Sequence, residues 1–152
     1  MRALTVQQPW AGAIIFCGKL IENRRQLWTY RGPLAIHAGK GWSESGGVSE
    51  MITGLYDRMT ANGGSYHAEA WSARGAIIGV VDLVDCHHDA GCCRPWGESG
   101  YGDLGGRKRS RVTHLVLENP RALAEPIPVA GQLGLWNVPT DIAHLIEQGI
   151  AQ

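Results

Sequence analysis

The chain has 152 residues, equal numbers of basic and acidic side chains and a formal net charge of zero, so charge gives no global argument for a nucleic-acid partner. One domain of this length buries enough surface to need no disulfide staple. No apolar run approaches the ~18 residues of a membrane span. The first residues also lack the basic and apolar regions of a secretory signal. A cytoplasmic protein with its four cysteines reduced is therefore expected.

In chain order, Leu4–Val6 reads as a short strand. Pro9 fits the first turn of a helix over Trp10–Cys17, where its missing N–H costs nothing. Trp10, Ile14 and Ile15 give that helix one apolar face. Gly18 suits a left-handed cap. Leu20–Leu27 reads as a loop or short strand. Gly32-Pro33 is a turn signal. Leu34, Ile36 and Ala38 alternate with Ala35 and His37, which predicts a strand with His37 on the face opposite Leu34 and Ile36. Residues 39–47 form a Gly/Ser-rich loop. A helix follows over Val48–Asn62, with Met51, Ile52, Leu55, Tyr56 and Met59 on one stripe and Asn62-Gly63-Gly64 as its stop.

Ala76–Cys86 is the strongest strand signal. Gly91–Gly106 reads as a long Gly-rich loop, a lid or a disordered segment. Val112–Leu117 is another strand, and Pro126–Val138 holds two short strands around Gly131. Thr140 caps a final helix over Asp141–Gln148. The order is mixed α and β without a βαβ series, so an α+β arrangement in a single domain over residues 1–152 is expected, not a Rossmann-type sheet.

Charge is unevenly spread. Residues 1–40 carry six Lys/Arg against one Glu, and residues 105–111 read GGRKRSR. The segment 43–70 carries Glu44, Glu50, Asp57 and Glu69 against Arg58. A molecule with one basic side is consistent with this. Arg outnumbers Lys, which suits bidentate phosphate or carboxylate contacts but follows equally from G+C-rich codon usage.

The densest chemistry lies in the first 38 residues. QQPWAGAI is followed by GKLIENR and then YRGPLAIHA, which brings Gln8, Trp10, Lys19, Glu22, Arg24, Trp28, Arg31 and His37 into one short stretch. These three pieces, in this order, resemble the ASCH domain family. LENPRALAEPIPVAGQLGLWNVP resembles the family's closing strands, with Gly131, Gly134, Leu135 and Trp136 in the expected order. The resemblance covers nearly the whole chain and is weakest in the middle. It implies a small PUA-like β-barrel with peripheral helices.

Two functions follow as expectations. The first is binding of RNA or a nucleotide, with Arg24, Arg25 and Arg31 gripping phosphate and Trp10, Trp28 or Tyr30 stacking a base. Gln8 and His37 would line the same pocket, and the basic segment from Arg107 to Arg111 would extend the groove. The second is a small hydrolase, an amidohydrolase or ribonuclease, with Lys19 and Glu22 as its catalytic pair. The resemblance implies this because some bacterial members are reported to deacetylate acetylated cytidine with a Lys, a Thr and a Glu. The Lys matches Lys19, the Thr position holds Glu22, and the nearest guess for the Glu is the Asp82–Asp85 region. Against the hydrolase, Glu22 would stabilise the charged form of Lys19 and make it a fixed cation.

No cofactor is expected. Cys86, His87, His88, Asp89, Cys92 and Cys93 contain candidate metal ligands, chiefly Cys86, His88, Cys92 and Cys93. However, zinc motifs separate paired ligands by two to four residues, and neighbours on a strand point apart. The expectation is therefore no metal, or a redox-sensitive loop.

Overall fold

The computed structural model describes residues 1–61, 72–103 and 109–150. Its elements are β1 (Arg2–Gln8), α1 (Trp10–Phe16), β2 (Ile21–Arg24), β3 (Gly32–Trp42), α2 (Glu44–Gly47), α3 (Glu50–Ala61), β4 (Ala76–His88), β5 (Tyr101–Asp103), β6 (Arg109–Arg111), β7 (Thr113–Pro128), β8 (Leu135–Asn137) and α4 (Thr140–Ile150). Six strands form one mixed sheet in the order β2-β7-β4-β3-β1-β8, and β5 pairs with β6 as a separate hairpin. β1 and β3 run parallel, and the other neighbours run antiparallel.

The architecture is α+β, but the sheet is not closed into the expected barrel. β2 and β8 stand at its two ends, with α1 against one face and α4 against the other. The two-residue period of the strands explains this layering. Leu4, Val6, Leu34, Ile36 and Ala38 join Ile14 and Ile15 of α1 in one core. The alternate residues Ala3 and Ala35 join Trp136 and Ile146 of α4 in a second. Helix α1 is short and carries no charge in its terminal turns. Gln8 supports its start, its Oε1 accepting from the Gly12 N–H at 2.9 Å. Gly18, at φ +69°, follows its end in the left-handed conformation.

Several elements differ from the sequence expectation. The helix expected over Val48–Asn62 begins two residues later, as α3, and the expected loop over residues 39–47 is instead the end of β3 followed by α2, whose start is capped by Ser43 Oγ accepting from the Gly46 N–H. The Asn62-Gly63-Gly64 stop lies outside the described residues, as do the side chains of Tyr56 and Met59. β7 does not end near residue 117. It runs on past two prolines because β4 and β7 pair with bulges. Val80 faces Arg121 and Asp82 faces Glu118, so Asn119 and Pro120 together oppose one residue. A proline is tolerated at such a bulge, where no ladder bond is required, and Asn119 takes a φ of +49° there.

Candidate functional site

Gly18 turns the chain out of α1 and delivers Lys19 beneath the aromatic ring of Trp10. β2 then places Glu22 and Arg24 along the sheet edge. Lys19 is 3 % exposed and Glu22 8 %, an unusual depth for two charged residues. Lys19 Nζ donates to Glu22 Oε2 at 2.7 Å and to the Ile21 carbonyl at 2.5 Å, and it lies 5.5 Å from the Trp10 ring centroid. Arg24 Nη2 reaches Glu22 Oε1 at 3.0 Å and the Thr5 carbonyl at 2.9 Å. Glu22 thus bridges two cations. Burial opposes its ionisation, but the charges of Lys19 and Arg24 and their hydrogen bonds outweigh burial and hold its carboxyl below the usual range.

These groups line a cavity of about 360 Å³ together with Thr5, Asn23, Ser43, Trp96 and Glu98. Its size is that of a small-molecule site. Two basic and two acidic side chains line it, so its charges balance, and Val6, Met51, Pro95 and the two tryptophans supply apolar wall between them. Asn23 ties the far wall on: its Nδ2 donates to the Trp96 carbonyl at 2.9 Å, and its Oδ1 accepts from the Glu98 N–H at 3.0 Å. Trp10 Nε1 donates to Ser43 Oγ at 3.0 Å, which fixes the indole that covers Lys19.

The structure thus brings Trp10, Lys19, Glu22 and Arg24 together and separates the other expected residues from them. Gln8 is buried beneath α1, as described, and does not line the cavity. His37 belongs to the opposite face of the sheet, where its Nε2 donates to the Val129 carbonyl at 2.9 Å and its ring meets Trp136 edge-on. Burial lowers the His37 pKa, opposed by that hydrogen bond. Trp28 and Arg31 lie beside the outer part of β4: the Trp28 N–H contacts Cys86 Sγ at 3.3 Å, and Arg31 pairs with Asp85 at 3.3 Å. Asp82 is held by Arg121 and Asn119. Neither it nor Asp85 lines the cavity, where the second carboxylate is Glu98. Of the basic segment, Arg107 and Lys108 lie outside the described residues. Arg109 and Arg111 are exposed on β6.

The metal candidates also sort differently. Cys86 is buried in the core and His88 is exposed, its Nδ1 beside Thr113 Oγ1. Alternation on β4 turns both away from His87. The groups that converge are His87, Cys92, Cys93 and His114.

The full chain superposes on solved structures from Zymomonas mobilis. With the ASCH protein the TM-score is 0.52 at 13 % identity, covering 97 % of this chain and 93 % of that one. With a tyrosine-to-phenylalanine mutant of the same protein it is 0.55 at 12 % identity, covering 97 % and 96 %. The chain has the ASCH fold. The ASCH resemblance seen in its sequence motifs extends to curated relatives: it is 24 % identical over 147 residues to activating signal cointegrator 1 of Homo sapiens and 23 % identical to that of Mus musculus. It spans about a quarter of the length of those proteins, 24 % in each case. No family model matches the chain.

Proposed function

We propose that this ASCH-fold chain binds a nucleotide unit, as a free nucleotide or within single-stranded RNA, with the base in the cavity between Trp10 and Trp96. The observation that carries the reading is the Lys19–Glu22–Arg24 network set between two tryptophans in a cavity of about 360 Å³. A charge-balanced wall suits a neutral heterocycle rich in donors and acceptors better than it suits bare phosphate. Aromatic surface adds about 1–3 kcal/mol per stacked base. Arg109 and Arg111, exposed on β6, would meet the backbone of a longer strand.

The hydrolase alternative asks Lys19 to accept a proton. Here Nζ is already engaged as a donor to the Glu22 carboxylate and the Ile21 carbonyl and lies 5.5 Å from the Trp10 ring centroid, so it holds the wall together and does not face the cavity as an unengaged base. The test is a titration of intrinsic tryptophan fluorescence with the four ribonucleoside monophosphates and with short mixed-sequence RNAs. Saturable quenching that Trp96→Ala abolishes supports the reading. Quenching that is unchanged in Trp96→Ala, or none at low salt, contradicts it. Lys19-dependent turnover of acetylated cytidine or RNA would favour the hydrolase.

A further inference from the structure

Beside the cavity wall, one ligand atom from each of His87, Cys92, Cys93 and His114 lies within 4.8 Å of all the others. Cys92 Sγ is 3.3 Å from His87 Nε2 and 3.6 Å from His114 Nδ1, and Cys93 Sγ is 3.5 Å from His87 Nε2. Zinc bonds of about 2.0–2.1 Å to nitrogen and 2.3 Å to sulfur separate the ligands of a tetrahedral ion by roughly 3.3–3.8 Å. For a sulfur–nitrogen pair the value is about 3.5–3.6 Å; two of the three distances match it and the Cys92–His87 distance is slightly shorter.

The imidazoles are oriented from outside the cluster. His87 Nδ1 meets Asp85 Oδ2 at 2.6 Å, and His114 Nε2 donates to the Glu98 carbonyl at 2.8 Å. Each partner is an acceptor, so the outer nitrogen carries the proton and the inner one presents its lone pair to the thiols. This pattern of a carboxylate or carbonyl behind each imidazole is what orients metal-binding histidines.

The backbone explains how adjacent cysteines converge. Cys92 and Cys93 lie in a turn, not a strand, and Cys93 has a φ of +64°. Non-glycine residues seldom adopt that conformation without a reason, and here it accompanies two successive thiols directed at the same two imidazoles. His87 and His114 come from register partners on β4 and β7.

We propose that His87, Cys92, Cys93 and His114 bind one zinc ion, which fastens the turn after β4 to the sheet. Two thiolates and two imidazoles match the preference of this borderline-soft ion. Four protein ligands leave no open position, so the role is structural. The turn also carries Trp96 and Glu98, so the ion would brace one wall of the cavity whatever that cavity binds.

The test uses the full chain purified under reducing conditions. Metal analysis is expected to find one zinc per chain. Cobalt added to the stripped protein is expected to give intense visible bands of a tetrahedral site and a thiolate charge-transfer band, both bleached by one equivalent of zinc. Cys92→Ser and His114→Gln should lose these signals, and Cys17→Ser should keep them. Asp85→Ala, which removes the acceptor behind His87 together with the Arg31 ion pair, should weaken zinc affinity about 10–100-fold, whereas Arg31→Ala, which removes that ion pair alone, should not. If a ligand variant does not fold, the cobalt spectrum of the wild-type chain decides alone. A reduced protein with no metal and no charge-transfer band has a hydrogen-bonded thiol–imidazole cluster only and overturns the proposal, as does full zinc retention by a folded Cys92→Ser variant.

Discussion

Replacing Glu22 by Ala removes the carboxylate that bridges Lys19 and Arg24. Lys19 keeps the Ile21 carbonyl and the Trp10 face, but its side chain is only 4 % exposed, so water does not take the carboxylate's place. Breaking a buried pair from one side costs about 3–5 kcal/mol. The two remaining contacts put this case at the low end, about 3 kcal/mol. For a domain of this size that is a fall in Tm of roughly 6–12 °C.

Removing both charges is different. Lys19→Met with Glu22→Leu leaves no buried ion, and Arg24, at 27 % side-chain exposure, can turn to solvent. The double variant should unfold within about 1 kcal/mol of wild type, because apolar replacements of a buried pair are often neutral. Urea unfolding at pH 7, read by circular dichroism, of wild type, Lys19→Met, Glu22→Leu and the double variant closes a cycle, with Glu22→Ala measured beside it. A Glu22→Ala cost below about 1 kcal/mol, the value of an exposed pair, would refute the reasoning. So would a double variant as unstable as the sum of the singles.

Other outcomes are expected from the same structure. Gly131→Ala would drive a methyl into the His37 ring and to 2.8 Å from Thr5 Oγ1, so it should cost about 1–3 kcal/mol by overpacking, measured as a shift in the urea midpoint. Because the folded-state pKa of His37 is depressed, its contribution is fully present above the unfolded value near 6.5 and is lost as pH falls below it. His37→Gln should therefore flatten the decline in stability from pH 7 to 5.5. For single-stranded RNA held through three to five phosphates, log K should fall with log salt at a slope of roughly −2 to −3.5. Arg111→Ala should reduce that slope by somewhat under one, and Arg31→Ala should leave it unchanged, since Arg31 is engaged with Asp85.

The sequence made one half of the cavity legible. Trp10, Lys19, Glu22 and Arg24 fall within 15 residues, and a short helix, a glycine cap and an edge strand can hardly carry them apart. His37 illustrates the limit. Strand alternation correctly put it opposite Leu34 and Ile36, yet α1 and Lys19 pack on the Leu34 side, so nearness in sequence became distance across a sheet. Trp96 and Glu98 are held at the cavity by the Asn23 side-chain bridge and by His114, which donates to the Glu98 carbonyl, and neither tie has a local signature. The length of β7 was hidden by Pro120, because the bulge that accommodates it depends on β4. The thiol–imidazole cluster was obscured twice. Its fourth member, His114, arrives by strand register, and Cys93 leaves the strand geometry on which the objection to adjacent ligands rested. The closed barrel came from family resemblance, and the strand order leaves β2 and β8 as open ends.

The most direct test of the nucleotide-binding account is to record the indole N–H resonances of the chain during titration with cytidine and adenosine monophosphates. The account predicts progressive, saturable shifts of the Trp10 and Trp96 indoles, with the exposed Trp42 indole unchanged. Shifts confined to Trp42 or to the arginines of β6, or no shift of Trp10 and Trp96 at saturating nucleotide, would contradict it.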